Sequence, residues 1–412
     1  MKKLLPIVLG SDENAYGNCR LLTEFCDAKP LMLYSYRFYA TKYSKLMDGI
    51  QIDRFDSDDV FPDALYSVLK EKKNEYEKIV VIPCSDRYTQ LLSRYYDRFE
   101  GMIANRFIST DLLDRLDTKD RFYSLCDEYG LDYPKTVIAP FREWENAVKD
   151  SGFDFPVVLK PENSNGYDYI HCHFEGKKKV FFIYSAEEYA DVIGKMTSSS
   201  FRGKLIVQEF IPGGDDCMRV MNCYSGNDGK VKFMSLGQPV LEEYSPYTIG
   251  NYVSIISRND MKIYEKVEKF LNDIGYVGLS NFDMKYDRRT GRYLMFEINP
   301  RPGRSSYYVR GTGNNMMKIL CADILGEDSG EEKYASAGSL WTEAPKYVLT
   351  KYVGDKKLKD EIKGYYRAHK VSKTLFNPKD IDLRRELAIR RQYYSFIKSF
   401  RLYYFDKDKT KG

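Results

Sequence analysis

The stretch Leu294-Met295-Phe296-Glu297-Ile298-Asn299-Pro300-Arg301, continued by Gly303-Arg304-Ser305-Ser306, reads as a strand running into a proline and a basic loop. Side chains alternate along a strand, so Glu297 and Asn299 share one face and Ile298 is buried behind them. Upstream, Asn281-Phe282-Asp283-Met284-Lys285 also has strand character. Set beside the first strand, it brings Asp283 to the same spot as a third oxygen ligand. Magnesium takes a few protein oxygens of this kind and fills its other positions with water and phosphate. Arg301, just past the metal candidates, stands where the charge of a transferring phosphoryl group would be neutralised. An isolated Glu-x-Asn is more often the polar face of an ordinary hairpin, and the remainder of the chain weighs between the two.

Working outward, residues 155–161 form a short apolar strand ending at Lys160, before the small polar loop Glu162-Asn163-Ser164-Asn165-Gly166. A lysine there can act as a point charge for nucleotide phosphates, with loop N–H groups such as those around Asn163 and Ser164 adding to it. Lys119, opening a helix predicted over 118–129, offers a second charge. Taken singly, either lysine reads as a solvated surface residue. No G-x-x-x-x-G-K-[ST] string occurs, which excludes a P-loop. Gln208-Glu209-Phe210-Ile211, stopped by Pro212-Gly213-Gly214, is an extended segment whose backbone suits an adenine edge, and Asp216 follows at ribose distance. His171-Cys172-His173 is expected on a strand of a hairpin running to Ile183, but a zinc site would need further ligands. Helices are expected over 186–196, 262–274 and 311–325, with strands near 217–224 and 231–236.

At the N-terminus, strands at 4–10 and 78–83 each lead through polar residues into a helix, the first from about Ala15, which predicts a parallel α/β layer. Such sheets bind ligands beyond their strand ends, so Ser11, Asp12, Asn14, Ser85 and Asp86 are candidate substrate contacts; each equally reads as a helix N-cap. The 412 residues imply two or three domains. With 43% hydrophobic and 30% charged residues, the composition is that of a soluble globular enzyme. No apolar run approaches the roughly 20 residues that span a bilayer, and the start lacks the length and cleavage site of a signal peptide. Eight scattered cysteines without CxxC pairs suggest reduced thiols and a cytoplasmic protein. Only three histidines are present, and no Ser-His-Asp or Cys-His pattern stands out. Charge is uneven: residues 345–412 hold 19 Lys/Arg against 8 Asp/Glu, whereas the whole chain is only +4. Within that region, residues 387–405 are predicted to form an amphipathic helix that packs its aromatics on the body. Contact with an anionic membrane surface is a second reading and nucleic acid the least favoured.

The order Lys119, Lys160, Glu209, Asp216, Asp283, Glu297, Asn299, Arg301 resembles the ATP-grasp superfamily over about residues 110–325, and Glu-Ile-Asn-Pro-Arg followed by Arg-Ser-Ser is similar to its carbamoyl-phosphate-synthetase branch. The resemblance implies that Lys119 and Lys160 bind ATP phosphates, that Glu209, Phe210 and Ile211 hold adenine, and that Asp216 holds ribose. It further implies that Asp283, Glu297 and Asn299 bind magnesium (two ions, with manganese as a substitute), and that Arg301 and Lys160 serve catalysis. The Val8–Gly17 pattern, Pro83-Cys84-Ser85-Asp86 and the Arg304-Ser305-Ser306 segment look like bacterial D-aspartate ligases, which attach D-aspartate to the lysine side chain of a peptidoglycan precursor. The implied enzyme is a carboxylate–amine ligase working through an acyl phosphate, with Arg304, Ser305 and Ser306 gripping the substrate carboxylate. The implied organisation is a pre-ATP-grasp α/β domain (1–110) and an ATP-grasp domain (111–330). The latter divides into a nucleotide-binding part (about 120–212) and a metal-binding, catalytic part (about 213–330). A basic, largely helical C-terminal region (331–412) follows. A ligase for other amino acids or peptides, and a non-catalytic ATP-binding module, are the alternatives; the oligomeric state is left open.

Overall fold

In the computed structural model, which describes residues 2–404 except 27, 164, 165, 246, 247 and 249, the chain opens with a parallel sheet. Its strands lie in the order Asp48–Gln51, Leu31–Tyr34, Lys2–Leu9, Tyr76–Pro83. The Lys2–Leu9 strand is apolar at successive positions because both of its faces are covered. Leu5, Ile7 and Leu9 pack with Phe61 and Leu65 of the Phe61–Lys72 helix. Leu4 and Val8 meet Ala15, Tyr16 and Cys19 of the Glu13–Leu22 helix. That helix starts two residues before its expected position because the Asp12 side chain caps it, accepting from the Ala15 N–H at 2.9 Å. The strands at Leu31–Tyr34 and Asp48–Gln51 were not anticipated; the second is exposed at all four positions and carries no alternation to read.

A four-stranded antiparallel sheet follows, ordered Thr136–Ala139, Leu205–Glu209, Val157–Pro161, Phe181–Ile183. Tyr189 and Ile193 of the Ala186–Thr197 helix share its core with Trp144, Leu159 and Val207. The Lys119–Tyr129 helix ends as expected at Gly130, whose φ of 68° closes it. The hairpin predicted up to Ile183 is interrupted. Residues Tyr167–His171 form a short helix, in which Tyr167 and His171, four residues apart, meet with tilted rings whose centroids are 3.9 Å apart. His171 and His173 therefore share no strand face.

The central sheet has seven strands, ordered Arg292–Asn299, Gly278–Asp287, Met218–Ser225, Val231–Glu242, Tyr252–Arg258, Leu340–Thr342, Val371–Ser372. All neighbours are antiparallel except the last pair. One face takes the Met261–Asp273 helix through Ile263, Val267 and Phe270. The other takes Tyr307, Tyr308 and the Met316–Leu325 helix, merging with the core of the N-terminal layer. The helix expected from Gly311 begins only at Met316. A 3-10 turn spans Ser306–Thr312, Gly313 breaks it at φ 96°, and Asn315 caps the true start.

The segment after residue 330 thus completes the central sheet as well as adding helices at Lys346–Tyr352, Lys356–Arg367 and Leu383–Tyr403. The last helix starts one turn before its expected position, because Asp382 accepts from the Arg384 and Arg385 N–H groups. Its Phe396 and Phe400 are buried beside Tyr244 and Tyr352; Phe405 lies outside the described residues. Among the described residues no helix is long and apolar enough to cross a membrane.

Candidate active site

The site is built where the Gly278–Asp287 and Arg292–Asn299 strands pair. Asp283 lies directly opposite Glu297, but the next pairing joins Met284 to Met295, so Phe296 is an extra residue, a β-bulge. A bulge re-aims the side chains beside it. Here it places Met295 and Ile298, three residues apart, in the same buried core, and turns Glu297 outward. The Phe296 carbonyl, displaced from the ladder, accepts from Lys119 Nζ at 2.6 Å.

Lys119 reaches this point from the first turn of its helix and also donates to Glu297 Oε2 at 2.9 Å. Its own burial opposes the charge, but Glu297 outweighs burial and raises the lysine pKa. In return Lys119 holds the Glu297 carboxyl down at about 2. Asp283 behaves oppositely. Burial, then the facing Glu297 charge, push it up to about 7, against hydrogen bonding from Tyr252. Its Oδ1 accepts from the Tyr252 hydroxyl at 3.0 Å and its Oδ2 from Asn299 Nδ2 at 3.2 Å. Arg301 donates to Asn299 Oδ1 at 3.3 Å and forks onto both oxygens of Asp86, at the start of the Asp86–Arg94 helix.

Lys160, one residue before the end of the Val157–Pro161 strand, lies 3.5 Å from Gln208 Oε1 and 6.0 Å from the Phe296 ring centroid. Burial and then the Lys119 charge pull its pKa down to about 7. Two lysines, two carboxylates, an amide and an arginine therefore gather at one site where the two sheets meet. Asp283, Glu297 and Asn299 offer only oxygen donors. One of the two carboxyls, Asp283, is pushed toward protonation by its burial and then by the facing Glu297 charge, a penalty that a hard divalent cation would relieve. The residues present fit such an ion.

The other sequence candidates fall into three groups. Asp12 and Ser85 cap helices, Ser85 accepting from the Tyr88 N–H. Ser11 donates to the Tyr36 carbonyl, and Asn14 donates to the carbonyls of Cys84 and Pro302, tying the N-terminal layer to the Arg301 loop. In the nucleotide segment, Glu209 exchanges hydrogen bonds with the backbone of Lys135, while Phe210 packs edge-on to Phe182 and Ile211 is buried. Asp216 is ion-paired to Arg288. Asn163 is exposed at the loop beside Lys160, and Ser164 lies outside the described residues. Among the described residues no group of three or more His, Cys, Asp and Glu is arranged around a metal position, so the histidine pair gains no partners.

Arg304 has company that the sequence reading missed. It donates to Glu243 Oε1 at 3.1 Å and lies 3.6 Å from Glu13 Oε2. Tyr39 donates to Glu13. Glu343, buried nearby, accepts from the Thr374 N–H at 2.7 Å, and its burial, then Glu13, push its carboxyl up to about 7. Ser305 and Ser306 are buried at the base of the same loop. No local pattern marks these acids, since they converge from three separate segments.

No protein-family model matches the chain. The D-aspartate ligase of Enterococcus faecium (strain Aus0004) is 35% identical over 418 aligned residues, covering 99% of this chain and 98% of that protein. The chain belongs to the D-aspartate ligase family. The C-terminal section of the carbamoyl phosphate synthase large chain of Methanopyrus kandleri is 23% identical over 229 residues, 54% of this chain and 39% of that one. Among solved structures, the N5-carboxyaminoimidazole synthetase of Staphylococcus aureus, complexed with ADP, superposes with a TM-score of 0.59 at 14% identity over 82% of each chain. The fold is therefore that of the ATP-grasp enzymes, preceded by a parallel α/β layer, and the family is one of ligases.

Proposed function

We propose that this ligase joins a carboxylate of D-aspartate to an amine, the lysine side chain of a peptidoglycan precursor, at the expense of ATP. The observation that carries the reading is the facing of Asp283 and Glu297 across one strand pair, with Lys119, Lys160 and Arg301 closing around them. The whole-length likeness to a D-aspartate ligase supplies the substrate. Lys119 and Lys160 bind the triphosphate, which restores to Lys160 the positive charge that burial removes. Residues 209–211 hold the base and Asp216 the ribose. A divalent cation held by Asp283, Glu297 and Asn299 supplies charge neutralisation at the phosphates when bound.

In the first step a carboxylate oxygen of the amino acid attacks the γ-phosphorus. The bond to the β-phosphate oxygen breaks, leaving ADP and an acyl phosphate. Arg301, anchored by Asp86, stabilises the charge on the moving phosphoryl group. In the second step the amine attacks the acyl carbon, the C–N bond forms, and phosphate departs as the nitrogen loses a proton. Positioning and electrostatics supply the acceleration, and no protein nucleophile is needed. An amino acid dicarboxylate carries two negative groups and one ammonium. Arg304 between Glu13 and Glu243 offers complementary charges of both signs, with Ser305 and Ser306 beside it. The eight cysteines, none joined in a disulfide, agree with a cytoplasmic site of action.

The test is ADP release with ATP and magnesium across a panel of D- and L-amino acids, each with and without a lysine-containing cell-wall precursor. Release that requires both D-aspartate and the precursor is expected. Release with another pair would keep the chemistry and remove the cell-wall assignment. No release with any pair, while ADP still binds, would remove the ligase reading itself.

A further inference from the structure

The outward face of the Leu383–Tyr403 helix carries large apolar side chains in the open. Leu383, Leu387, Tyr394 and Leu402 are exposed by 75, 51, 65 and 55%. The first three recur at intervals of four and seven residues, so they stand in one row along the helix. Arg384, Arg390, Arg391, Lys398 and Arg401 are exposed on the same side, while Ile389, Phe396 and Phe400 anchor the opposite side to the body. Among the described residues acidic neighbours are few: Asp382 sits at the helix start near Arg384, and Glu386 pairs with Arg390 at 2.9 Å. Arg391 and Lys398 form no ion pair among the described residues. Tyr347, 47% exposed, and Lys351 of the neighbouring Lys346–Tyr352 helix extend the surface next to Arg401.

We propose that this face docks reversibly on an anionic lipid surface, with the helix lying flat along it. Three observations favour lipid over other partners. The leucines and the tyrosine project between the cations, so they enter the acyl boundary while guanidinium and ammonium groups meet lipid phosphates. The face lies in the basic part of the chain, since residues 345–412 carry a net +11 in a chain of only +4, and Arg384, Arg390, Arg391, Lys398 and Arg401 stand exposed on it, which suits a planar anionic surface. A second copy meeting this face through a two-fold axis would press the same cations together. With no membrane-crossing helix among the described residues, the contact is peripheral and weakens with salt. The inference goes beyond the ligase reading and does not depend on it.

Co-sedimentation of the full chain with vesicles tests it, comparing phosphatidylcholine alone with roughly equal parts phosphatidylcholine and phosphatidylglycerol. Binding only to the phosphatidylglycerol vesicles, released as salt rises, is expected. Arg391→Gln and Lys398→Gln should each lower partitioning about fivefold, and Leu387→Glu should lower it further. Thermal stability and ADP release should stay at the parent level, because none of these residues touches the candidate active site. Equal binding to both vesicle types, or variants that bind like the parent, would overturn the proposal. So would a dimer in sedimentation velocity that Leu387→Glu converts to monomer, since the face would then belong to a second copy. Absence of ADP release from every protein bears on the ligase reading alone and leaves the vesicle result to stand.

Discussion

Lys160 is a cation held under tension: burial and Lys119 both oppose its charge, and its pKa falls to about 7. A bound polyphosphate favours the protonated amine, so above pH 7 nucleotide binding must take up a proton. Affinity for ADP should therefore fall as pH rises from 7 to 9, by up to about tenfold per unit. Titration calorimetry over that range checks this, and Lys160→Gln should bind weakly with a flatter profile; an equally steep profile in the variant would place the titrating group elsewhere. Glu297→Gln removes the negative partner of Lys119 and one candidate metal donor together. Turnover should drop at least about a hundredfold with the thermal transition kept, and near-normal turnover would sink the metal assignment. Residues like these were legible because each sits on a local pattern, a strand end or an alternating face. Glu13, Glu243 and Glu343 were not, because only the folded chain brings them to Arg304 and its neighbours.

At the level of elements, strong alternation was readable and its interruptions were not. The paired strands carrying Asp283 and Glu297 follow from side-chain period alone, but the bulge at Phe296 depends on the partner strand. The helix at Tyr167–His171 and the two-residue strand Val371–Ser372 are too short to carry a period. Close packing between elements is equally hidden until the fold is known. Gly237 lies in the Val231–Glu242 strand where a Cβ would meet Ile255 Cγ2 at 2.6 Å, Val220 Cγ1 at 3.0 Å and the Tyr308 ring at 3.1 Å. All three side chains are fully buried, so none has free space to move into. Gly237→Ala should cost about 1–3 kcal/mol through overpacking, read as a lower urea midpoint with an unchanged slope. A midpoint equal to the parent would mean that Tyr308 and Ile255 yield without strain.

Across the whole molecule, the C-terminal region returns to clasp the N-terminal α/β layer. Arg20 of the Glu13–Leu22 helix donates to the carbonyls of Lys373, Thr374 and Phe376. Farther on, Asp380 and Arg385 form an ion pair at 3.0 Å with each side chain only 1% exposed. Asp380 also accepts from the Tyr16 hydroxyl, the Ser44 hydroxyl and the Lys45 N–H. Arg385 donates to the carbonyls of Ala40 and Leu375 and stacks 4.1 Å from the Tyr16 ring centroid. A buried pair of this kind contributes little net stability over well-packed apolar residues, yet losing one member strands the other without compensation. Asp380→Ala should therefore destabilise the protein by about 3–5 kcal/mol, through an uncompensated Arg385 and three orphaned donors. The double variant Asp380→Leu with Arg385→Met removes both charges and should recover part of that loss. Urea denaturation of the two variants separates the causes. If the double variant falls as far as the single one, the clasp is held by the hydrogen bonds to the Ala40, Leu375 and Tyr16 groups, and charge compensation is not the source of the effect.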